Sequence, residues 1–187
     1  MRSLQGIVAR LTTIGFICAL GLSFTNYSTR LQISDNRANH ATEKLLSILH
    51  ADVDVSIDPL GNNTYQISRN GVTSGHIFEI STTEGYNGEI RLWLAVDLAG
   101  SVLGTRVINH QETPGLGDKL DIEVSNWILG FNNQSLDSII WAVKKDKGDF
   151  DQFTGATITP RAVVTAVKLG LIDYKNNRDN WMSSYER

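Results

Sequence analysis

The sequence predicts an α+β fold: an N-terminal transmembrane helix followed by one exported domain, whose mainly antiparallel sheet is packed by helices. Three observations point there. An acid-free apolar stretch runs from Leu11 to Phe24, short alternating runs divided by Gly- and Asn-containing turns fill the middle, and an apolar stripe at helical spacing follows Pro160. The 187 residues, 41% of them hydrophobic, suffice for one domain with a real core. A net charge of −3 and the lack of a basic, aromatic patch argue against a nucleic-acid partner. The lone cysteine, Cys18, excludes an internal disulfide and any Cys-cluster metal or iron–sulfur site, and no metal ligand set is expected.

In chain order, residues 1–28 form the anchor. Arg2 and Arg10 precede the apolar run, which places the N-terminus in the cytoplasm and the rest across the membrane. From Leu11 to Tyr27 a helix spans ~25 Å, short of the ~30 Å hydrocarbon core, but Arg10 can snorkel and Ile7 and Val8 extend the apolar surface. A cleaved signal peptide is the competing reading, although no Ala-x-Ala site follows the run. Residues 29–50 read as a connecting helix, with Leu31, Ala38, Ala41, Leu45, Ile48 and Leu49 at roughly helical spacing. His40 and His50 have no ligand-like partners and read as surface residues.

The domain is expected over residues 51–175. Asp52 and Asp54 alternate with Val53 and Val55 as a short strand, and Asp58–Asn63 reads as a turn. Thr64–Arg69 alternates, Asn70-Gly71 makes a hairpin turn, and His76–Ser81 follows. Glu89–Asp97 and Val102–Ile108 form the best antiparallel pair, with Trp93 read as core or cross-strand packing. Ahead of that pair, Glu84–Gly88 reads either as a flexible loop able to approach a ligand or as a plain strand connection. Leu120–Leu129 looks helical. The last helix runs from Pro160 to about Tyr174 with Val163, Val164, Val167 and Leu171 as its stripe. Lys144, Lys145, Lys147, Asp146 and Asp149 read as a solvated turn, and residues 176–187 as a loose polar tail whose Trp181 and Tyr185 could dock on a partner.

Two stretches carry chemistry. In Asp151–Pro160, Thr154, Thr157 and Thr159 supply hydroxyls, while Gly155 and Ala156 clear space between them. Pro160 suits a first helical turn and Thr159 an N-cap, so an alcohol stands beside a helix start that favours an anion. A Thr-rich turn leading into a capped helix accounts for the same spacing. In His110–Lys119, Thr113, Pro114, Gly115, Leu116 and Gly117 make a shaped, Cβ-poor loop, with Glu112 and Lys119 adding charge. Such a loop suits a polar ring system or phosphate cradled by backbone N–H groups. Its spacing fits neither a Walker loop nor a dinucleotide fingerprint. Glu112 and Lys119 read equally as solvated loop charges.

Asp151-x-x-Thr154-Gly155-Ala156-Thr157 resembles the signature at which a dedicated transferase esterifies FMN, through its phosphate, to the last threonine. Together with Gly85–Ile90, Gly104–Val107, Glu112–Lys119 and Phe150–Val164, in this order and spacing, it resembles the G subunit of the Rnf/Rsx electron transport complex. The resemblance implies FMN bound covalently through a phosphoester to Thr157, with Thr154, Gly155, Ala156 and Thr159 shaping its surroundings. It implies that the loop from Glu112 to Lys119 lies against the flavin, and that Asp151, Thr154, Gly155, Ala156 and Thr157 are read by the flavin transferase. It also implies an electron-relay protein, not catalytic alone, within an ion-translocating oxidoreductase that couples ferredoxin/NAD electron transfer to ion transport. Such a protein would sit as a single-pass chain in a bacterial inner membrane with its main domain in the periplasm, beside other membrane and iron–sulfur subunits. The C subunit of the sodium-translocating NADH:quinone reductase shares the attachment motif and is the nearest alternative. A stand-alone exported flavin reductase would need a donor site, and no NAD fingerprint is present; a non-redox binding module with a Thr-rich turn is the third reading.

Overall fold

The structure, a computed structural model, describes residues 6–23, 25, 48–49, 55–61 and 63–184, with side chains up to residue 177. It falls into two compact units, residues 1–43 and 44–187. In the first, helix α1 (Gly6–Ser23) is 18 residues of mean hydropathy 1.7, long and apolar enough to cross a membrane. Ile7, Leu11, Phe16 and Ile17 are all exposed, so the helix offers apolar side chains that the protein does not cover. Its threonines suit an apolar solvent: the Thr12 and Thr13 hydroxyls donate to the carbonyls of Val8 (2.9 Å) and Ala9 (2.8 Å), leaving no orphan donor. Of the expected connecting helix only Ile48 and Leu49 are described; the rest, with His40, His50 and the Asp52–Asp54 strand, lies outside the described residues.

The second unit is an antiparallel sheet in which five strands lie side by side in chain order: β1 (Val55–Gly61), β2 (Thr64–Arg69), β3 (Val72–Gly85), β4 (Gly88–Asp97) and β5 (Val102–Asn109). Asn70 and Gly71 both take positive φ (52° and 74°), as a two-residue hairpin turn demands, so β2 and β3 join as the sequence predicts. The expected turn at Asp58–Asn63 is instead mostly strand. Pro59 lies in β1, an edge strand, where a missing N–H costs no ladder bond on the solvent side, and a bulge follows it. The expected loop at Glu84–Gly88 is reduced to a tight turn of Tyr86 and Asn87, because β3 runs to Gly85 and β4 starts at Gly88.

Alternation gives the sheet two faces. Phe78, Ile90, Leu92, Leu94, Val96 and Val107 belong to the main core. Helix α2 (Ile158–Ser184) packs on that face through Val163, Val164, Val167, Leu171 and Tyr174. The helix comes close because Gly170 carries no side chain; a Cβ there would meet Ile80 at 2.9 Å and Leu94 at 3.0 Å. Tyr174 stacks on Phe78 and its hydroxyl pairs with buried His76 at 2.9 Å. On the other face Trp93 is buried edge-on to Tyr65 (centroids 5.5 Å), as core packing predicts, and Ile48 fills the space above Gly104.

Helix α2 differs from expectation at both ends. It starts at Ile158, so Thr157, not Thr159, precedes the first turn, and it continues through Ser184 where a loose tail was expected. The helix predicted over Leu120–Leu129 is replaced by two short 3-10 turns, Asp118–Leu120 and Asn126–Phe131. Ser125 sets the start of the second turn, its hydroxyl accepting from the Trp127 N–H at 3.2 Å. Apolar spacing there serves the core through Leu120, Ile128 and Phe131 without a continuous α-helix.

Candidate functional site

Three segments distant in sequence meet at one end of the sheet and enclose an open cleft of about 380 Å³. That volume lies in the range of small-molecule sites. The β3–β4 turn contributes Tyr86; the loop after β5 contributes Glu112, Thr113, Leu116 and Gly117; the entrance of α2 contributes Gly155 to Thr159.

Glu112 fastens these segments together. Its carboxylate is buried, with one oxygen accepting from the Asn87 N–H at 2.9 Å and the other from the Thr159 hydroxyl in a short contact. Asn87 also donates its side-chain amide to the Thr113 hydroxyl at 3.1 Å. The sequence allowed Glu112 to be a solvated loop charge; the structure makes it an internal acceptor. Burying a carboxylate is costly unless its oxygens are hydrogen-bonded, and both are. Among the described residues it has no ion-pair partner in the sequence-distant segments, so neutral donors alone hold it.

The surroundings of Glu112 are tied in turn. The Glu112 N–H donates to Nδ1 of His110 at 3.0 Å, and Nε2 of His110 meets Asp121 at 2.9 Å. The hydrogen bond to Asp121 raises the His110 pKa above its ordinary value against the opposing effect of burial. The Glu112 amide aimed at Nδ1 favours the ring that carries its proton on Nε2. The Thr113–Gly117 loop closes on itself, with the N–H groups of Leu116 and Gly117 both donating to the Thr113 carbonyl (3.1 and 3.0 Å) and the Gly115 N–H to Asp118 (2.8 Å).

Gly117 is required by space: a Cβ there would lie 2.7 Å from the Glu112 Cβ and 3.1 Å from the Thr159 hydroxyl. At the α2 entrance Phe153 is buried and the chain turns back on it, with the Ala156 N–H donating to the Phe153 carbonyl at 3.1 Å. Gly155, at φ +81°, supplies the left-handed conformation of that turn. The bend leaves Thr157 half-buried on the cleft, directly ahead of α2.

Of the residues singled out from sequence, Glu112, Thr113, Leu116, Gly117, Gly155, Ala156, Thr157 and Thr159 thus come together. Thr154, Pro114, Gly115 and Lys119 do not line the cleft: Thr154, Pro114 and Gly115 are exposed on the outer bends, and Lys119 lies in the following 3-10 turn. Thr159 is a buried hydroxyl inside the helix rather than its cap. Asp151 is exposed, pairs with Lys144 at 2.7 Å, and has its carbonyl held by the Trp127 indole N–H at 2.8 Å. The charged turn beside it is more ordered than expected, since Arg161 grips Asp146 with two bonds of 2.5 and 2.7 Å. Tyr86 and Ile158 line the cleft but were not singled out from sequence; both are exposed apolar side chains, which carry no periodic signal.

These features fit FMN. The cleft offers a polar floor of Glu112, Thr113 and Thr159, an apolar rim, a glycine-cleared wall at Gly117, and a hydroxyl beside the start of a 27-residue helix. First-turn N–H groups of such a helix have no intrahelical partner and attract a phosphate.

Residues 85–171, which contain all three cleft segments, match the FMN-binding domain family. The chain is 41% identical over 180 residues to the G subunit of the ion-translocating oxidoreductase complex of Haemophilus influenzae (strain PittEE), covering 88% of this chain and 87% of that one. It is 50% identical over 127 residues to the G subunit from Pseudoalteromonas atlantica, covering 64% of this chain and 59% of the relative. To the G subunit from Vibrio cholerae (strain M66-2) it is 50% identical over 129 residues, covering 65% and 61%. The chain belongs to the family of G subunits of ion-translocating oxidoreductase complexes, and its FMN-binding domain is the unit that builds the cleft.

Proposed function

We propose that this chain is the flavin-carrying electron-relay subunit of a membrane-bound ion-translocating oxidoreductase, with FMN held through a phosphoester to Thr157. The observation that carries the reading is the position of Thr157: half-buried on the cleft, one residue ahead of the first turn of α2. FMN supplies the reversible uptake and release of electrons, and the protein holds and tunes it. Thr157 fixes the phosphate end. Donors of the first helical turn would stabilise the remaining negative charge, while Pro160 sits where it adds no unpaired N–H. Buried Glu112, bonded to the Thr159 hydroxyl in the same helix start, would repel a phosphate placed against it. Thr113 and Gly117 shape the floor for the ring system, and a tethered cofactor is retained where free FMN would be lost.

The rest of the reading follows the chain. Residues 1–28 anchor the protein as a single span in a bacterial inner membrane, with Arg2 and Arg10 holding the N-terminus in the cytoplasm and the flavin domain in the periplasm. Exposed Asp151, with Thr154 and Gly155 on the same outer bend, presents the attachment sequence to a flavin transferase. Other membrane and iron–sulfur proteins of the complex donate and accept the electrons.

The test is covalent flavin on the full chain produced with its transferase. Denatured wild-type protein should fluoresce yellow and gain the mass of an FMN phosphoester on the peptide containing Thr157, and Thr157→Ala should lose both. A wild-type chain without that mass, in a background where a known target is labelled, refutes the attachment. Copurification of the labelled chain with several membrane proteins of one complex supports the relay role; a labelled chain that purifies alone and reduces soluble acceptors overturns it.

A further inference from the structure

The β3–β4 turn holds a feature that the cleft's polar floor does not explain. Tyr86 is 67% exposed, although the backbone on either side of it is fixed. Gly85 stands where a Cβ would meet the Gly88 carbonyl at 2.4 Å and Glu112 at 3.0 Å, and Asn87 is tied to Glu112 and Thr113. The chain therefore projects a large aromatic ring from a rigid two-residue turn over the cleft, and among the described residues that ring joins none of the aromatic pairs. Leu116 (41% exposed) and Ile158 (44% exposed) complete an apolar rim from the other two segments. An apolar rim above hydrogen-bonding groups matches a flat ring system with one polar and one hydrocarbon edge.

We propose that Tyr86 is the aromatic contact of the isoalloxazine, packing its phenol ring against FMN in this cleft. The inference rests on the reading that FMN occupies the cleft. Aromatic rings in contact gain stabilisation beyond the area they bury, and a ring carried on a fixed backbone has only its own side-chain freedom to lose on binding. Tyr86 thereby positions the flavin and shields it from water, without taking part in its redox chemistry.

Contact of this kind has an optical signature independent of electron-transfer activity. An excited flavin touching a phenol takes one electron from it and hands it back, so emission is quenched and nothing is consumed. In the full chain, loaded with FMN and purified in detergent, wild-type emission should be weak and short-lived. Tyr86→Phe keeps the ring but removes the electron donor, and should brighten emission severalfold per bound flavin. Tyr86→Trp restores a donor ring and should remain as dim as wild type. Unchanged emission in Tyr86→Phe, or a bright Tyr86→Trp, overturns the contact, and either arm decides if the other fails to retain flavin. A wild-type chain that carries no flavin, or whose emission is unaffected by any of these changes and by Gly117→Val, fails differently: mass spectrometry and the Gly117 variant then reject the cleft as the flavin site.

Discussion

The two ends of the sheet carry hollows of similar size, about 380 Å³ at the Thr157 end and about 300 Å³ at the other, yet they are assembled by different means. At the far end the backbone does the joining. Val102 pairs with residues 133 and 134 through main-chain bonds of 2.7 and 2.8 Å, and the Asp97 N–H closes its turn by donating to the Ser101 carbonyl at 2.9 Å. At the Thr157 end side chains do the joining: the Glu112 carboxylate spans from the Asn87 N–H to the Thr159 hydroxyl, with Asn87 and Thr113 bonded beside it. Main-chain pairing is indifferent to residue type, whereas a buried carboxylate serving two donors depends on one residue. The cleft is consequently the end at which single substitutions separate shape from stability.

The largest effect is expected from Glu112→Ala, which strands the Asn87 N–H and the Thr159 hydroxyl. Losing its partner costs the buried Thr159 hydroxyl about 1–3 kcal/mol, with less for the exposed Asn87, so denaturant unfolding should show a loss of about 1–3 kcal/mol and purified protein should have lost most of its flavin. Gly117→Ala comes next. The new Cβ, 2.7 Å from Glu112, should cost about 1–3 kcal/mol by overpacking and lower flavin content more than its stability loss alone explains. Its counterpart at the far end, Gly100→Ala, has open space but φ +92°; it should cost about 1 kcal/mol in backbone strain with flavin content intact. Equal flavin loss in the two glycine variants would erase the distinction between the ends.

A smaller effect depends on pH. The folded-state pKa of His110 is raised, chiefly by Asp121, so this contact stabilises most below the ordinary value of 6.5 and is lost as pH rises through the raised value, while protonation of Nδ1 costs the Glu112 N–H its acceptor and offsets part of the gain. Thermal unfolding should therefore separate wild type from Asp121→Asn most below about pH 6.5, with the gap closing in more alkaline buffer. The smallest effect belongs to Arg161→Gln. The Arg161–Asp146 pair is exposed, and exposed pairs contribute little, so both unfolding and flavin content should match wild type.

Alternation and turn chemistry made most of the sheet readable: Thr64–Arg69, Glu89–Asp97 and Val102–Ile108 each lie in strands, and Asn70-Gly71 turns as expected. The end of β3 was hidden because Thr82, Thr83 and Glu84 project where no apolar face is needed, so hydrophobic period says nothing about them. In β1, Pro59 reads as a breaker until the edge position is known. The 3-10 turns of residues 118–131 reuse helical apolar spacing without α-helical hydrogen bonds. For the site, the Gly-rich loop and the threonine cluster were visible as short motifs. The burial of Glu112 was not, since it is decided by a hydroxyl 47 residues downstream. Tyr86 was equally silent, because an exposed aromatic acquires meaning only from what stands opposite it.

The chain-order arrangement of the strands has a temporal side. Every strand pairs with its immediate successor, so the sheet rests on local contacts of the kind that form quickly. Closure of the cleft instead waits for Thr159 to reach Glu112, which already reaches back 25 residues to Asn87. During synthesis the sheet strands emerge before the segment that bears Thr157, and a nascent chain has its scaffold before the last wall of its cleft. Completion of the cleft is thereby coupled to completion of the polypeptide: a chain truncated before residue 157 has two of the three lining segments and lacks the wall from Thr157 to Thr159.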